Sequence, residues 1–282
     1  MRALTVNRYA IRFVLKYRMF LPLIAGVALI SSCEDVINVN LNNASPTLVV
    51  EGSIYDNGYT TQVVLSKTTD YFNPGDFTPL TNAEVSITDN AGNVYEPTDT
   101  INGAFIFGNL TGTPGITYTL KVIADGKEYT ATSTMPQIVP IDSLVIDNNS
   151  EGPRENAILC YIKDPKGVQN YYQMRIWVNG DEVTSDNIIL FSDKYWDGLV
   201  EPMRVDSRRA GIDRYLPTDT ISVELAGIEK QTYDYLSTIR SITGQGRFLS
   251  TSTPANPYNN ISNGAVGYFA TRAVTKKTLL GK

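Results

Sequence analysis

Short segments with alternating apolar and polar residues recur through the first half of the chain, and turn-forming residues separate them. A period of two is typical of strands that bury one face. The predicted strands of this half span 47–54, 60–68, 83–89, 93–98, 104–108, 117–124 and 127–135. Because no helical period interrupts these seven short strands, they predict an immunoglobulin-like β-sandwich over residues 47–135.

Two turn sequences predict hairpins within this sandwich. DNAGN at 89–93 and ADGK at 124–127 each contain a glycine, which relieves the positive φ that tight turns require. DNAGN also resembles part of a calcium loop, but it lacks the later bidentate acid of an EF-hand. We interpret it as a turn and predict no metal site.

Pro136 and Pro140 interrupt the strand pattern, so residues 136–140 are predicted to link two domains. The second domain, residues 141–282, again contains alternating segments, including NAILCYIKDP and NYYQMRIWVNG. A hairpin across Asp164–Gly167 would join these two strands. The chain is therefore predicted to be all-β, or mainly β, with two β-rich domains.

Three further features are expected in the second domain. Residues 181–214 lack a sustained pattern and predict a long irregular insert. Residues 229–242 place Tyr233, Leu236 and Ile239 on one face at helical spacing, which predicts a short amphipathic helix. The last 20 or so residues suggest a terminal pair of strands.

Residues 1–32 have the layout of a signal peptide. They contain five basic residues and no acid, followed by an apolar run from Met19 to Ile30. A membrane-spanning helix needs roughly 20 apolar residues, and this run is too short. A buried N-terminal helix is the alternative, which the bases and Pro22 disfavour.

The sequence Ile30-Ser31-Ser32-Cys33 resembles the lipobox of bacterial lipoproteins, which are cleaved before the cysteine and acylated on it. The resemblance implies that Cys33 is lipidated. The Asn-rich sequence that follows predicts a polar tether over residues 33–46, with an edge strand as the alternative. Two or three acyl chains give a stable membrane anchor. No other cofactor is expected.

Cys160 is the second of two cysteines and lies in the strand-like sequence AILCYIK. A lipidated Cys33 cannot pair with it, so we predict no disulfide and a thiol packed as a small hydrophobe. A bridge between the two cysteines is the alternative.

Charge and composition exclude several function classes. The chain has 24 basic and 29 acidic side chains, and removal of the five bases of the leader leaves 19 against 29. This acidic balance argues against nucleic acid as a partner. Histidine is absent, which excludes Ser-His-Asp and Cys-His chemistry and histidine-ligated zinc. We assign no catalytic residue.

The order of several motifs resembles a family of Bacteroidetes outer-membrane lipoproteins described only as a domain of unknown function. The motifs extend over most of residues 33–278 and include CEDVINVNL, LVVEGSIYDN, PLTNAEVSITDNAGN, GTPGITYTLKV, TYDYLSTI and NGAVGYFATRAV. This resemblance implies an outer-membrane location and frequent genetic association with a TonB-dependent receptor. Residues 46–135 also resemble transthyretin-like and carboxypeptidase-regulatory sandwiches.

Other residues are candidates for modification or contact. Glu34 and Asp35 follow Cys33 and resemble a surface-export tag, which favours the cell surface over the periplasmic leaflet. Three Asp-Ser/Thr-aliphatic triplets match the O-glycosylation pattern of that phylum, with Thr100, Ser143 and Thr220 as acceptors.

Tyr195 and Trp196 stand among charged residues in the predicted insert, so they are expected to be exposed contact residues. The expected function is that of a noncatalytic outer-membrane lipoprotein that is an accessory or partner-binding component of a TonB-dependent receptor. A stand-alone ligand- or carbohydrate-binding surface lipoprotein and a carboxylate-dependent hydrolase are the alternatives.

Overall fold

The computed structural model describes residues 46–68, 78–147, 156–184, 187–200, 202–243 and 257–281. The predicted signal peptide, Cys33 with its two following acids, and the tether as far as residue 45 lie outside them. In the part of the chain that is described, no helix has the length and apolar character needed to cross a membrane.

The fold is mainly β with one short α-helix among the described residues, as predicted. The strands are β1 (Leu48–Tyr55), β2 (Thr61–Lys67), β3 (Thr78–Pro79), β4 (Glu84–Asp89), β5 (Val94–Tyr95), β6 (Asp99–Ile101), β7 (Ala104–Phe107), β8 (Thr117–Ala124), β9 (Lys127–Thr134), β10 (Ile141–Asp147), β11 (Ala157–Ile162), β12 (Tyr171–Val178), β13 (Asp181–Glu182), β14 (Ile189–Ser192), β15 (Met203–Asp206), β16 (Thr220–Ile228) and β17 (Val266–Leu280). The helix, α1, spans Lys230–Ile242.

One large sheet forms the centre of the structure. Its main strand order is β13-β12-β16-β17-β1-β2-β7-β6, and β14 and β3 pair at its margins with β12 and β2. β17 runs parallel to β1 and antiparallel to β16. The segments predicted as separate domains, 47–135 and 141–282, therefore share this sheet through β17.

A four-stranded sheet, β5-β4-β8-β9, covers the N-terminal half of the large sheet and completes the predicted β-sandwich. Val50, Val63 and Phe105 of the large sheet and Val85 and Leu120 of the smaller one belong to a single buried core. Strict alternation, as in β8, places every second side chain in this core.

A three-stranded sheet, β10-β11-β15, covers the other half of the large sheet in the same way. Met174, Ile176 and Val223 belong to a second core with Ile158 and Val205 of the smaller sheet. Each half of the large sheet thus has its own hydrophobic core.

Helix α1 packs on β12 and β17, on the sheet face opposite this second core. Leu236 is buried with Tyr171 and Val274, and the Tyr233 ring lies 5.0 Å from that of Tyr171. Tyr235 makes a similar contact with Tyr268 at 4.9 Å. The apolar stripe that predicted this helix is the surface that attaches it to the sheet.

Both predicted turns of the first half are confirmed. Asp125 and Gly126 have φ values of 50° and 72° between β8 and β9, and Gly92 has a φ of 87° between β4 and β5. Asp89 accepts hydrogen bonds from the backbone N–H groups of Ala91 and Asn93. The carboxylate therefore serves the turn itself.

Three predictions for the second half are wrong in part. β11 and β12 belong to different sheets, so Asp164–Gly167 joins two layers and no hairpin forms there. The predicted insert at 181–214 contains β13, β14, β15 and a 3-10 helix at Ser207–Ala210. The expected terminal pair of strands is the single 15-residue strand β17.

Candidate functional site

Two loops at one end of the second core bring three aspartates together. Residues 163–170 connect β11 to β12, and residues 193–200 follow β14. We call these two segments the acidic loop pair. One carboxylate oxygen from each of Asp164, Asp193 and Asp197 lies within 4.8 Å of the corresponding oxygens of the other two.

Hydrogen bonds between the loops fix this arrangement. The backbone N–H of Gly167 donates to Asp197 Oδ1 at 2.7 Å, and that of Gly198 donates to Asp164 Oδ2 at 3.0 Å. The hydroxyl of Tyr172, on β12, donates to Asp164 Oδ1 at 2.8 Å. The sheet thus positions one carboxylate directly, and the loop backbones position the others.

Asp193 is the most constrained of the three acids. Its side chain is 0% exposed, and Oδ2 accepts hydrogen bonds from the backbone N–H and the Nδ2 group of Asn170 at 2.7 and 3.2 Å. Oδ1 is buried without a hydrogen-bond partner. An unpaired buried polar atom is costly, and such atoms are few in folded proteins.

Burial raises the pKa of the Asp193 carboxyl above its ordinary value, and the nearby charges of Asp164 and Asp197 add to this effect. The hydrogen bonds from Asn170 oppose it. Three carboxylates at this spacing repel one another unless a proton or a cation lies among them. The chemistry available to the cluster is therefore proton sharing or the binding of a cation that prefers oxygen ligands.

The structure separates the two aromatic residues that were predicted to be exposed together. Tyr195 is 85% exposed, and the Nζ of Lys194 lies 5.2 Å from its ring centroid. Trp196 is half-buried and stacks on Tyr172 at 6.3 Å between ring centroids. Trp196 therefore packs on the same tyrosine that holds Asp164.

The three predicted glycosylation acceptors lie on separate strands. Thr100 and Thr220 are exposed, whereas Ser143 is half-buried on β10. Asp99 precedes Thr100 and is also exposed, but Asp219 before Thr220 is buried and accepts hydrogen bonds from Leu216 and Asn179.

A second charged cluster lies on the large sheet, on the face opposite the second core. Arg175, Glu224 and Lys276 occupy directly paired positions on β12, β16 and β17. Arg175 bonds Glu182 at 2.9 Å through Nε, and its NH1 lies 3.6 Å from Glu224. Both cations lie over the ring of Trp177, at 5.0 and 4.2 Å. Arg175 pairs with both glutamates and Lys276 lies over Trp177, so this cluster is a stabilising network.

Two surface clefts lie apart from the three aspartates. One, of about 460 Å³, includes Ser133 and Glu229 beside the start of α1, where the Ser133 hydroxyl donates to Glu229 at 2.5 Å. The other, of about 640 Å³, includes Thr100 and lies between β4 and β6. Neither is lined by the acids of the acidic loop pair.

Cys160 lies in β11 and is a free, buried thiol within the second core. Burial raises the pKa of this thiol to about 12. Its environment is that of a small hydrophobic side chain, as the sequence predicted.

Sequence reasoning missed the three-aspartate cluster, because it assigned no metal-binding residue. Asp193 and Asp197 are four residues apart in DKYWD, and Asp164 begins DPKG. The available signal was that two separate loops each begin with an aspartate. Because the sequence analysis predicted a hairpin at Asp164–Gly167 and an irregular insert at 181–214, it did not place these two loops side by side.

Among solved structures, the β-glucuronidase of Parabacteroides merdae is similar to 65% of the chain at 10% sequence identity and a TM-score of 0.21. The similar part is 23% of that enzyme, so the chain spans about a quarter of its length. A likeness this weak carries no functional argument. No curated protein matches the chain in sequence.

A family profile described as "Domain of unknown function (DUF4249)" matches residues 34–278. The match starts directly after Cys33. It includes all the described residues except 279–281. It is consistent with the family resemblance seen in the sequence motifs. The chain therefore belongs to the DUF4249 family.

Proposed function

We propose that this protein is a noncatalytic, lipid-anchored component of the bacterial outer membrane that binds a partner protein, and that the partner is a TonB-dependent receptor. The lipobox at Cys33 supports the anchor. The observation that carries partner binding is a set of exposed apolar side chains on the acidic loop pair.

Four large apolar side chains of these two loops are more than half exposed. They are Val168, Tyr195, Leu199 and Val200, with exposed fractions of 56, 85, 54 and 62%. Soluble proteins seldom concentrate exposed apolar side chains in this way except at contact surfaces, and tyrosine is enriched at the centres of such surfaces.

The loops that carry these side chains are held before any partner arrives. The hydrogen bonds between Gly167 and Asp197 and between Gly198 and Asp164 join the two loops. A surface that is already ordered loses less conformational entropy on binding. The preformed hydrogen bonds therefore support the interpretation that the acidic loop pair is a binding surface and not merely a flexible connection between strands.

A lipid anchor would make a weak contact sufficient. Two proteins held in the same membrane meet at a high effective concentration, so a modest affinity produces a stable association. The acyl chains on Cys33 would supply the membrane affinity.

Carbohydrate binding is the second candidate function, because the open ring of Tyr195 is suited to stacking on a sugar. The hydrolase alternative has less support. The three acids are closer together than the roughly 5–9 Å expected of glycosidase pairs, and Asp164 and Asp193 are only 4% and 0% exposed.

A mild-detergent pull-down of the full chain from its native membrane tests the proposal. A TonB-dependent receptor should co-purify with the wild type and be depleted at least several-fold by Tyr195→Ser combined with Leu199→Ser. Val94→Ser is the matched control, since Val94 is 61% exposed on β5, outside the acidic loop pair. Equal recovery of the receptor with all three proteins would contradict the proposed surface.

Anchoring is tested separately. Cys33→Ala should move the protein from the membrane fraction to the soluble fraction and abolish fatty-acid labelling. A variant that remains acylated would overturn the anchor. If soluble glycans bind the wild type but not Tyr195→Ser, and no receptor is recovered, the carbohydrate function replaces the receptor proposal.

A further inference from the structure

We propose that Asp164, Asp193 and Asp197 bind a calcium ion, which fastens the two loops of the acidic loop pair to each other. This proposal does not depend on the partner or on the lipid anchor. It rests on the geometry, charge and hydrogen bonding of the three carboxylates.

The spacing of the oxygens fits the coordination shell of calcium. Calcium–oxygen distances are about 2.3–2.6 Å, so two ligand oxygens on opposite sides of the ion are about 5 Å apart. The three aspartate oxygens lie within 4.8 Å of one another. An ion placed among them could reach all three without a large movement of the loops.

The hydrogen bonds within the cluster leave its charge uncompensated. The donors to the three carboxylates are neutral groups: the Tyr172 hydroxyl, the Asn170 amide, and backbone N–H groups. Within the described residues, none of the three acids forms an ion pair. Three carboxyl groups, two of them on buried side chains, thus lie close together with only neutral hydrogen-bond donors around them.

An unpaired buried oxygen of Asp193 is a second observation that points to a bound cation. Its side chain is fully buried, one oxygen is held by Asn170, and Oδ1 has no partner. A protein that holds one oxygen of a clustered acid in place and leaves its other oxygen buried and unpaired has the arrangement of a preformed cation ligand. A bound cation would satisfy Oδ1 and neutralise the cluster.

The type of donor identifies the class of metal. The chain has no histidine, and Cys160 is buried in the second core on β11, so the cluster offers oxygen ligands only. Such a set suits calcium or magnesium over zinc or copper. Calcium is favoured because it tolerates the irregular geometry of loop ligands, whereas magnesium requires near-octahedral coordination at about 2.0–2.1 Å.

Bound calcium would link residues of both loops to the sheet. Asp164 is bonded to Tyr172 of β12, and Trp196 stacks on the same tyrosine. The ion would therefore fix Trp196 and the neighbouring Tyr195 relative to the large sheet. Removal of calcium is expected to loosen the loops while the two cores remain intact.

The purified full chain, treated with EDTA and then freed of chelator, is titrated with terbium and with calcium. Terbium occupies calcium sites, and its luminescence is excited through a nearby indole or phenol. We expect a luminescence signal that calcium displaces and that Trp196→Phe reduces. At a hundredfold excess over its Kd, calcium should also raise the thermal midpoint by about 5–10 °C.

Asp193→Asn and Asp197→Asn are each expected to abolish the luminescence and the thermal shift. Asp213→Asn is the control, because Asp213 is an exposed acid outside the cluster. In EDTA, Asp193→Asn should be at least as stable as the wild type, since it removes one of three repelling charges. A merely structural aspartate would instead leave the variant less stable with and without calcium.

The proposal would be overturned if the wild type showed no calcium-dependent change up to millimolar concentration. It would also be overturned if Asp193→Asn and Asp197→Asn responded to calcium as the wild type does. A response to magnesium at equal or lower concentration would overturn the choice of calcium. Asp197 is exposed, so Asp197→Asn still decides the question if Asp193→Asn fails to fold.

Discussion

The hydroxyl of Tyr59 donates a hydrogen bond of 2.6 Å to Oε2 of Glu224, which lies 165 residues later in the chain. This contact joins the β1–β2 turn to the middle of β16. Glu224 is 1% exposed and is also approached by Arg175 at 3.6 Å. Tyr59 therefore adds a hydrogen bond to the buried carboxylate at the centre of the Arg175 ion-pair network.

Tyr59→Phe is expected to lower the free energy of unfolding by about 1–2 kcal/mol, because it removes a hydrogen bond to a charged group and leaves a carboxylate oxygen less satisfied. Chemical denaturation with urea measures the change. Tyr258→Phe is a matched control, as Tyr258 is half exposed and lines only a polar cleft. Equal effects of the two substitutions would show that the contact with Glu224 contributes nothing.

The same contact predicts a pH dependence. The hydrogen bond to Glu224, together with burial, raises the pKa of Tyr59 from its ordinary 10.0 to about 12. Since the folded state holds this proton more tightly, the stabilisation is complete below pH 10 and is lost as pH rises from 10 to 12. The stability difference between wild type and Tyr59→Phe should therefore shrink across that interval. A constant difference would contradict the assignment.

Gly267 of β17 is required by the parallel pairing with β1. Its φ is 118°, and a Cβ at this position would lie 2.0 Å from the carbonyl oxygen of Val50. Gly267→Ala should cost at least about 3 kcal/mol or prevent folding, through backbone strain and a backbone clash together. Gly58→Ala separates these causes, because Gly58 has a φ of 79° with no atom within 4 Å and should cost only about 1–2 kcal/mol. If Gly267→Ala and Gly58→Ala lowered the free energy of unfolding by similar amounts, the close approach of Gly267 to the Val50 carbonyl would be contradicted.

Cys160 should be unreactive in the folded protein. With a pKa of about 12, roughly one thiol in ten thousand is ionised at pH 8, and burial blocks access to it. In Cys33→Ala, a chromogenic disulfide reagent should detect no thiol under native conditions and one per chain after denaturation. Rapid labelling of the folded variant would show that β11 opens readily.

Among the three O-glycosylation candidates, Thr100 should carry the sugar. It is the acceptor for which both the hydroxyl residue and the preceding aspartate, Asp99, are exposed. Peptide mass spectrometry of the protein from its native source should place the added mass on Thr100, and Thr100→Ala should remove it. Modification of Ser143 or Thr220 in its place would show that joint exposure of the acceptor and its aspartate does not select the site.

Local chemistry made the strands and tight turns of the first half predictable. Asp125 and Gly126 adopt positive φ because the β8–β9 turn requires it, and the sequence of the turn carries this requirement. The helix was predictable for the same reason, since Tyr233 and Leu236 are spaced so that both lie on the helix face that packs on the sheet.

Strand partners are not encoded locally, and here the predictions failed. β11 and β12 are consecutive and alternate well, yet they pair in different sheets. Asp164 lies where the chain crosses between these sheets, and that crossing brings it to Asp193. The acidic cluster is thus a product of long-range pairing, which alternation and turn residues do not specify.

The position of β17 has a consequence for the order of assembly. Among the described strands it is synthesised after all others, yet it fills the gap between β1 and β16. Until β17 is synthesised, β1 and β16 each present an unpaired hydrogen-bonding edge, so a growing chain cannot complete the large sheet. The large sheet therefore stays incomplete for as long as β17 is withheld, and the folding of both cores waits on the last of the described strands.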